Sequence, residues 1–329
     1  MTTQSQPQWA TGRVVASTPV AQDVRRITIA RPPTGRAAPG SHVDVRVPLG
    51  AGSDVRSYSV VDSSDDGGLL TISVLRVPQS RGGSAYMHGL AAGAELPVTQ
   101  PLQNFPLRVG APRYLLLAGG IGITAVAEMA RVLRTVGADY TLVYVGRGRE
   151  RMAYVVELAE LHGDRLVLHV DGEGTPLDVD SLVRSVDPHT ELYMCGPIRL
   201  MDAVRRSWQD AALPPANLRY ETFGSSGWFE PEEFVARIPG RGVETTVRTD
   251  ETLLEALTRA GVDLMYDCRK GECGLCLLDV SSVEGTLDHR DVFLSRDQQS
   301  EDRCLATCVS RVAARPGTGA PPMVELSLP

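Results

Sequence analysis

No apolar run in this chain of 329 residues approaches the roughly 18–20 residues that a membrane-spanning helix needs. A helical anchor is therefore not expected, and neither is a membrane partner. The opening MTTQSQPQWATGR has neither a basic start leading into an apolar stretch nor a cleavage site. The expectation is no signal peptide and a cytoplasmic location, where free thiols persist. Excess positive charge is missing too. The net charge is −7, whereas a protein that tracks nucleic-acid phosphates is usually basic, so nucleic acid is not an expected partner. Lysine is nearly absent: Lys270 accompanies 32 arginines. With Ala, Gly and Val also abundant, that bias fits a GC-rich coding sequence better than any function. There is no internal repeat, and low complexity is confined to the short RPGTGAPP near the end.

What is present is ordinary for a globular chain. Hydrophobic residues make up 43% and charged residues 22%, which excludes wholesale disorder, collagen-like structure and a disulfide-dense miniature. At about 100–200 residues per domain, the length predicts two or three domains. Residues 1–108 read as β structure. Short alternating or β-branched runs such as SHVDVRVPLG and GLLTISVLRVP are separated by Gly, Pro and Asp clusters, which predicts a barrel or sandwich. Residues 109–224 change character. RYLLLAGG is a continuous apolar run, ITAVAEMARVLRTVGA follows with helical spacing, and strand and helix then alternate through ELYMCGP and RLMDAVRRSWQDAAL. That pattern predicts an open, doubly wound parallel sheet with helices on both faces. Residues 225–237, SSGWFEPEEFVAR, read as a connector, and 238–329 as a mixed module. There ETTVRTDETLLEALTRAGV reads as a strand and a helix capped by Thr249 or Asp250.

The cysteines carry the strongest chemical signal. Five of the six fall in the last 62 residues. Cys268, Cys273 and Cys276, with Cys308 after 31 intervening residues, give C-x4-C-x2-C…C, the spacing of plant-type [2Fe–2S] ferredoxins. A tight loop supplies three thiolates and a distant strand the fourth. Gly271 and Gly274 let the backbone bend close to the sulfurs. A zinc site would more often show two C-x2-C pairs. Cys304 competes as fourth ligand. Cys308 is preferred because it sits in the apolar TCVSR, while Cys304 follows the charged SEDR.

Other motifs are weaker alone. The turn Ala118-Gly119-Gly120-Ile121-Gly122-Ile123-Thr124 follows a buried strand and suits close approach of a dinucleotide, or simply a tight turn. Met194-Cys195-Gly196-Pro197 ends a later strand of the same sheet. In Arg56-Ser57-Tyr58-Ser59 an arginine can pair with phosphate, a tyrosine can stack on a flat ring and a serine can bond a ring nitrogen. Arg81-Gly82-Gly83-Ser84 suits a phosphate or a plain loop.

Taken in order, R-x-Y-S, RGGS, G-G-I-G-I-T, C-G-P, YETFG and the cysteine set with its intervening EGTLDHRD resemble the phthalate dioxygenase reductase and vanillate demethylase reductase family. These belong to the ferredoxin–NADP reductase superfamily. The resemblance covers essentially the whole chain. It implies an antiparallel flavin barrel over 1–108, an α/β NAD domain over 109–224 and a β-grasp ferredoxin domain over 238–329. Carried over, Arg56 meets the flavin phosphate of FMN, with Ser57 beside it, Tyr58 against the flavin and Ser59 near N5. Arg81, Gly82, Gly83 and Ser84 complete the phosphate pocket. Gly119, Gly120, Gly122 and Thr124 meet the pyridine nucleotide, and Cys195, Gly196 and Pro197 its nicotinamide end. Phe223 falls where the family places an aromatic near the flavin, although RYET precedes it in place of the family's HxES-like text.

The function implied is electron transfer from NADH to FMN to the [2Fe–2S] cluster and on to a terminal oxygenase. A Rieske-type oxygenase is the first expectation and a cytochrome P450 the second. The chemistry is borne by cofactors, without a general acid or base, and the chain is expected to be a monomer. Arg147, Arg149 and Arg151 after the second sheet strand could accept a 2′-phosphate, but the resemblance favours NADH. Residues 236–329 hold 15 acidic against 11 basic side chains, a face that either steers a basic partner or is merely solvated. A non-enzymatic redox carrier or sensor is the rival reading, and a stand-alone flavin reductase a further one.

Overall fold

The computed structural model describes residues 7–49, 52–77, 82–224, 227–315 and 321–328. It divides into two compact units, Met1–Gly196 with Ala203–Glu221, and Pro197–Asp202 with Thr222–Pro329. Among the described residues no helix is long and apolar enough to cross a membrane.

The first unit opens with strands β1 (Trp9–Ala21), β2 (Val24–Ala30), β3 (Ser41–Leu49), β4 (Gly52–Ser63) and β5 (Leu69–Leu75). Helix α1 (Gly83–Gly89), β6 (Glu95–Thr99) and the short β7 (Leu102–Gln103) follow. Six strands run β4-β5-β2-β1-β6-β3 and close through a β3–β4 pairing into an antiparallel barrel, with β7 added beside β3. Alternation builds its interior. Val43, Val45 and Val47 point inward between polar neighbours and are fully buried, with Ile27, Ile29, Ile72 and Val98.

A second sheet follows in the same unit: β8 (Arg113–Gly119), α2 (Ile123–Thr135), β9 (Tyr140–Gly146), α3 (Val155–His162) and β10 (Leu166–Val170). Then come α4 (Val179–Arg184), β11 (Thr190–Cys195), α5 (Ile198–Asp210), of which the part from Ala203 on belongs to this unit, and β12 (Leu218–Glu221). The strands are parallel in the order β10-β9-β8-β11-β12. Their apolar runs are continuous because both faces are covered; Leu116, Leu117 and Ala118 of β8 are wholly buried. The strand order reverses between β8 and β11, the place where ligands settle in such sheets.

Polar contacts hold barrel and sheet together within this unit. Tyr154, left-handed at φ 68°, sets its hydroxyl against Ser73 of β5. Arg26 of β2 lies 4.6 Å over the Tyr154 ring and pairs with Glu157 at 2.6 Å. Buried Glu128 of α2 takes Arg36 at 3.3 Å and Arg131 at 3.1 Å, and Arg131 reaches Asp62 of β4 at 3.2 Å.

The second unit holds β13 (Phe234–Ile238), β14 (Val243–Val247), α6 (Leu253–Arg259), β15 (Leu277–Glu284) and β16 (Thr286–Asp288). It continues with α7 (Arg296–Ser300), β17 (Cys304–Ala306), β18 (Arg311–Ala313) and β19 (Met323–Ser327). A mixed sheet β14-β13-β19-β15-β17 packs over α6, and β16 pairs with β18. The cap of α6 differs from expectation. It is Thr252, whose hydroxyl accepts from the Glu255 N–H at 3.1 Å while Glu255 accepts from the Thr252 N–H at 2.8 Å. Reciprocal bonding satisfies two helix-end donors, which neither Thr249 nor Asp250 does. Strand β13 begins inside the stretch read as connector. Before it, the Trp228 N–H donates to Asp288 Oδ1 at 2.9 Å, and Arg290 donates to the Phe229 carbonyl at 3.0 Å. Asp288 and Arg290 form a buried pair at 2.5 Å.

His289 stands beside that pair, 3.2 Å from Asp302 and 3.7 Å from Asp291. Burial alone would lower its pKa, but the bonds and charges of Asp291 and Asp302 outweigh burial and raise it above 6.5. A raised histidine pKa stabilises the fold fully below the unfolded value and loses that contribution as pH rises through the folded value. The denaturant midpoint of the second unit should therefore fall on going from below pH 6.5 to above the raised value. His289→Gln should flatten that dependence; an unchanged slope would show that His289 is not its source.

Candidate functional site

Three thiols come from the loop between α6 and β15 and the fourth from the turn after β17. The Cys308 thiol hydrogen-bonds both Cys268 and Cys276, and Cys268 also bonds Cys273. The bond from Cys308, opposed by burial and aided by the Lys270 and Glu272 N–H groups, brings Cys268 down to about 4. Cys276 falls to about 6, chiefly through Cys308. Cys308, donor to both, is pushed up, and burial raises Cys273. All six cysteines are free of disulfides. Burial raises Cys304, with the charges of Asp279, Asp291 and Glu301 adding to the effect.

The loop is bent to fit. Arg269, Gly271 and Gly274 have φ of 53°, 76° and 75°. A Cβ on Gly271 would lie 2.8 Å from Val309 and 2.9 Å from Asp291 Cα, and one on Gly274 would strike the Phe293 ring. The Lys270 and Glu272 N–H groups each point at Cys268 Sγ from 3.4 Å. Four converging thiols, amide donors and a backbone with no room for side chains fit an iron–sulfur cluster. Among the described residues no three His, Cys, Asp or Glu side chains close on one metal ion. A two-iron cluster needs its four thiolates only in pairs, two on each iron.

In the first unit, Gly119–Gly122 and Cys195–Gly196 meet at the carboxyl edge of adjacent strands, Cys195 pairing with Ala118 on one side and Glu221 on the other. A Cβ on Gly122 would lie 2.5 Å from the Cys195 carbonyl carbon and 2.9 Å from the Gly196 nitrogen. Gly120 is left-handed with open space around it, and the Thr124 hydroxyl donates to the Ile121 carbonyl at 2.9 Å. Pro197 opens α5, its carbonyl accepting from the Leu200 and Met201 N–H groups.

From the barrel, Ser59 reaches the same place, its hydroxyl donating to Glu221 Oε2 at 3.5 Å. Ser59, Cys195 and Glu221 are all buried. Sequence reading passed over Glu221, although it stands in the quoted YETFG; one carboxylate in a run of mixed residues has no pattern to mark it. Arg56 shares a face of β4 with Tyr58. It bonds Asp54 and, at 2.9 Å, the Val55 carbonyl, while its buried Nη2 has no partner among the described residues. A Cβ on Gly83 would sit 3.1 Å from Arg56 Nε, so the start of α1 lies directly against this guanidinium. An unspent guanidinium nitrogen beside bare backbone fits a phosphate. Burial pushes Tyr58 up to about 12, so it is a neutral phenol.

Other expected residues are engaged elsewhere. Ser57 donates to Asp44 at 2.6 Å, and Ser84 accepts from the Val77 N–H at 3.1 Å. Gly82 precedes α1 with φ 93°. Arg81 lies outside the described residues. Phe223 is half-buried in the second unit, between Thr222 and Gly224, which both touch the cysteine loop.

Residues 236–313 match the 2Fe-2S iron-sulfur cluster binding domain family. The chain is 34% identical over 296 residues to the phenoxybenzoate dioxygenase subunit beta of Ectopseudomonas oleovorans, covering 88% of this chain and 90% of that one. Among solved structures it is similar to phthalate dioxygenase reductase, described as modular for electron transfer from pyridine nucleotides to [2Fe–2S]. That match has a TM-score of 0.71 and 29% identity over 97% of this chain and 98% of the other. It also resembles an intact type IV self-sufficient cytochrome P450 monooxygenase, with a TM-score of 0.65 and 33% identity, over 97% of this chain and 41% of that one. Barrel, parallel sheet and cysteine module together define a modular oxidoreductase of the class that forms reductase components of oxygenase systems. The chain belongs to the phthalate dioxygenase reductase family.

The Gly122 contact gives a test of the sheet edge. Gly122→Ala should push the turn off the Cys195–Gly196 strand end and lower the stability of the first unit by about 1–3 kcal/mol, the usual cost of overpacking. Denaturant unfolding of the full chain measures it; an unmoved midpoint would mean the turn relaxes freely.

Proposed function

We propose that this chain is an NADH-dependent reductase that passes electrons through FMN and a [2Fe–2S] cluster to a terminal oxygenase. The observation that carries the reading is the thiol quartet, built into the same chain as the meeting of Ser59, Glu221 and Cys195. When bound, the flavin accepts a hydride as an electron pair and the cluster passes electrons on singly.

The residues divide the work by position. Arg56, with Arg81 and the backbone of Gly82 and Gly83, holds the terminal phosphate of FMN. Tyr58 backs the flavin, and Ser59, set by Glu221, bonds its N5. Gly119, Gly120 and Gly122 leave the strand end bare for the pyrophosphate, and Thr124 braces that turn. Cys195, Gly196 and Pro197 line the nicotinamide end. Cys268, Cys273, Cys276 and Cys308 hold the cluster, which leaves Cys304 as a nearby free thiol. Two of the arginines that could favour NADPH are already engaged. Arg149 pairs with Glu173 through two bonds of 2.7 Å, and Arg151 lies 3.5 Å from Asp23. Both arrangements support NADH.

The partner is a Rieske-type oxygenase, ring-hydroxylating or O-demethylating, consistent with the dioxygenase named for the relative in Ectopseudomonas oleovorans. The likeness to a self-sufficient monooxygenase favours a second reading, a cytochrome P450 partner. Electron delivery to each oxygenase type separates the two.

Iron and acid-labile sulfide should each come to about two per chain. Cys308→Ser should abolish the visible absorption of the cluster and Cys304→Ser should keep it; the reverse would move the fourth ligand to Cys304. Flavin released by heat should chromatograph as FMN, and kcat/KM should favour NADH. An FAD peak or a tenfold preference for NADPH would overturn the corresponding cofactor.

A further inference from the structure

We infer that Thr222, together with Glu272, is a positioning residue for the cluster-ligand loop, although it lies outside the iron–sulfur domain proper. The inference rests on the reading of the four cysteines as a cluster site. Thr222 stands 14 residues before the matched stretch 236–313 and is only 3% exposed. Its hydroxyl oxygen lies 2.7 Å from the Lys270 carbonyl oxygen and 2.8 Å from Glu272 Oε1, so one proton is shared between two acceptors. Its N–H donates to the same Glu272 oxygen at 2.7 Å.

These bonds fall on the part of the loop that serves the sulfur. The Lys270 and Glu272 N–H groups are the two that point at Cys268 Sγ. Between them, the Gly271 carbonyl accepts from the Val292 N–H at 3.0 Å. Thr222 thus holds the carbonyl of the 270–271 peptide, which lies between the two peptide units whose N–H groups face Cys268 Sγ, and it also holds the side chain of Glu272. An N–H aimed at a thiolate stabilises the anion and tunes a bound cluster, provided the peptide cannot rotate away. Lys270 also lies between the left-handed Arg269 and Gly271, a stretch that ordinary backbone preferences would not hold in place. Gly224, two residues on, repeats the approach: a Cβ there would lie 3.4 Å from Val309 and 3.6 Å from Lys270 Cα.

The test uses the full chain with its cofactors. Thr222→Val keeps the shape and removes the hydroxyl; Thr222→Ser keeps the hydroxyl. The expected tenfold corresponds to about 1.4 kcal/mol, within the range of about 1–3 kcal/mol for leaving a buried acceptor without its donor. In Thr222→Val, loss of cluster absorbance to a ferrous-iron chelator should run about tenfold faster than in the parent. The electron paramagnetic resonance spectrum of the reduced cluster should shift, and amide exchange over 269–274 should speed up. Thr222→Ser should restore all three. Should the valine variant not accumulate folded, Glu272→Ala removes the same tie from the loop side, with the same expected acceleration. Parent-like rates and spectra in Thr222→Val or Glu272→Ala overturn the assignment, and so does a serine variant as impaired as valine. A parent chain that binds no cluster at all overturns the cluster reading itself, an outcome distinct from a cluster-bearing parent indifferent to Thr222.

Discussion

Four thiols have to be brought together, three of them from a loop that has no regular structure to hold it and the fourth from the turn after β17. That constraint organises the second unit. Nine residues, Cys268–Cys276, carry three sulfurs, and three of the nine are left-handed. Such a loop stores strain and persists only when its surroundings over-determine it. Here they do so from several directions. Asp291 and Val309 close on Gly271, Phe293 covers Gly274, and Thr307 donates twice to the Cys276 carbonyl, at 2.9 and 3.1 Å. The last contact also delivers Cys308, since it sets the turn that follows β17. The placement of the four thiols is therefore a property of segments far apart in sequence.

The first unit obeys a different constraint, closeness of backbone to backbone. The turn after β8 and the end of β11 approach until a single methyl group on Gly122 would not fit. Cys195 and Glu221, paired across β11 and β12, then stand at the edge where the strand order reverses, and Ser59 arrives from the barrel. Neither half makes this site alone. The contacts of Tyr154, Arg26 and Glu128 that join barrel and sheet are thus part of the site's construction, although none of them touches it.

How much was legible in the sequence depended on whether a signal was local. C-x4-C-x2-C reads directly because its chemistry and its spacing lie in one loop. The barrel and the parallel sheet read well because alternation and continuous apolar runs are local consequences of which faces are buried. The cap of α6 was also local, T-x-x-E at Thr252 and Glu255, yet the threonine and aspartate just upstream drew attention first. Glu221 and Thr222 could not be read at all. Their partners, Ser59 for one and Lys270 with Glu272 for the other, lie 162 and about 50 residues away. Nothing near them in the chain marks which carboxylate or which hydroxyl will be met.

The lone lysine makes the same point from the other side. In a chain with 32 arginines, Lys270 inside the cysteine loop invites a reading through its charge. Its main chain serves the site directly: its N–H points at Cys268 Sγ and its carbonyl accepts from Thr222. Arg269 contributes a left-handed backbone, and Gly271 contributes clearance. Arg269, Lys270 and Gly271 thus act on the site through backbone conformation, a peptide N–H and clearance in turn. Glu272 is the exception, since its carboxylate receives Thr222. A spacing motif is informative for that reason. It records the path of the main chain around the sulfurs, and leaves the identity of most intervening side chains to be decided by contacts with other segments.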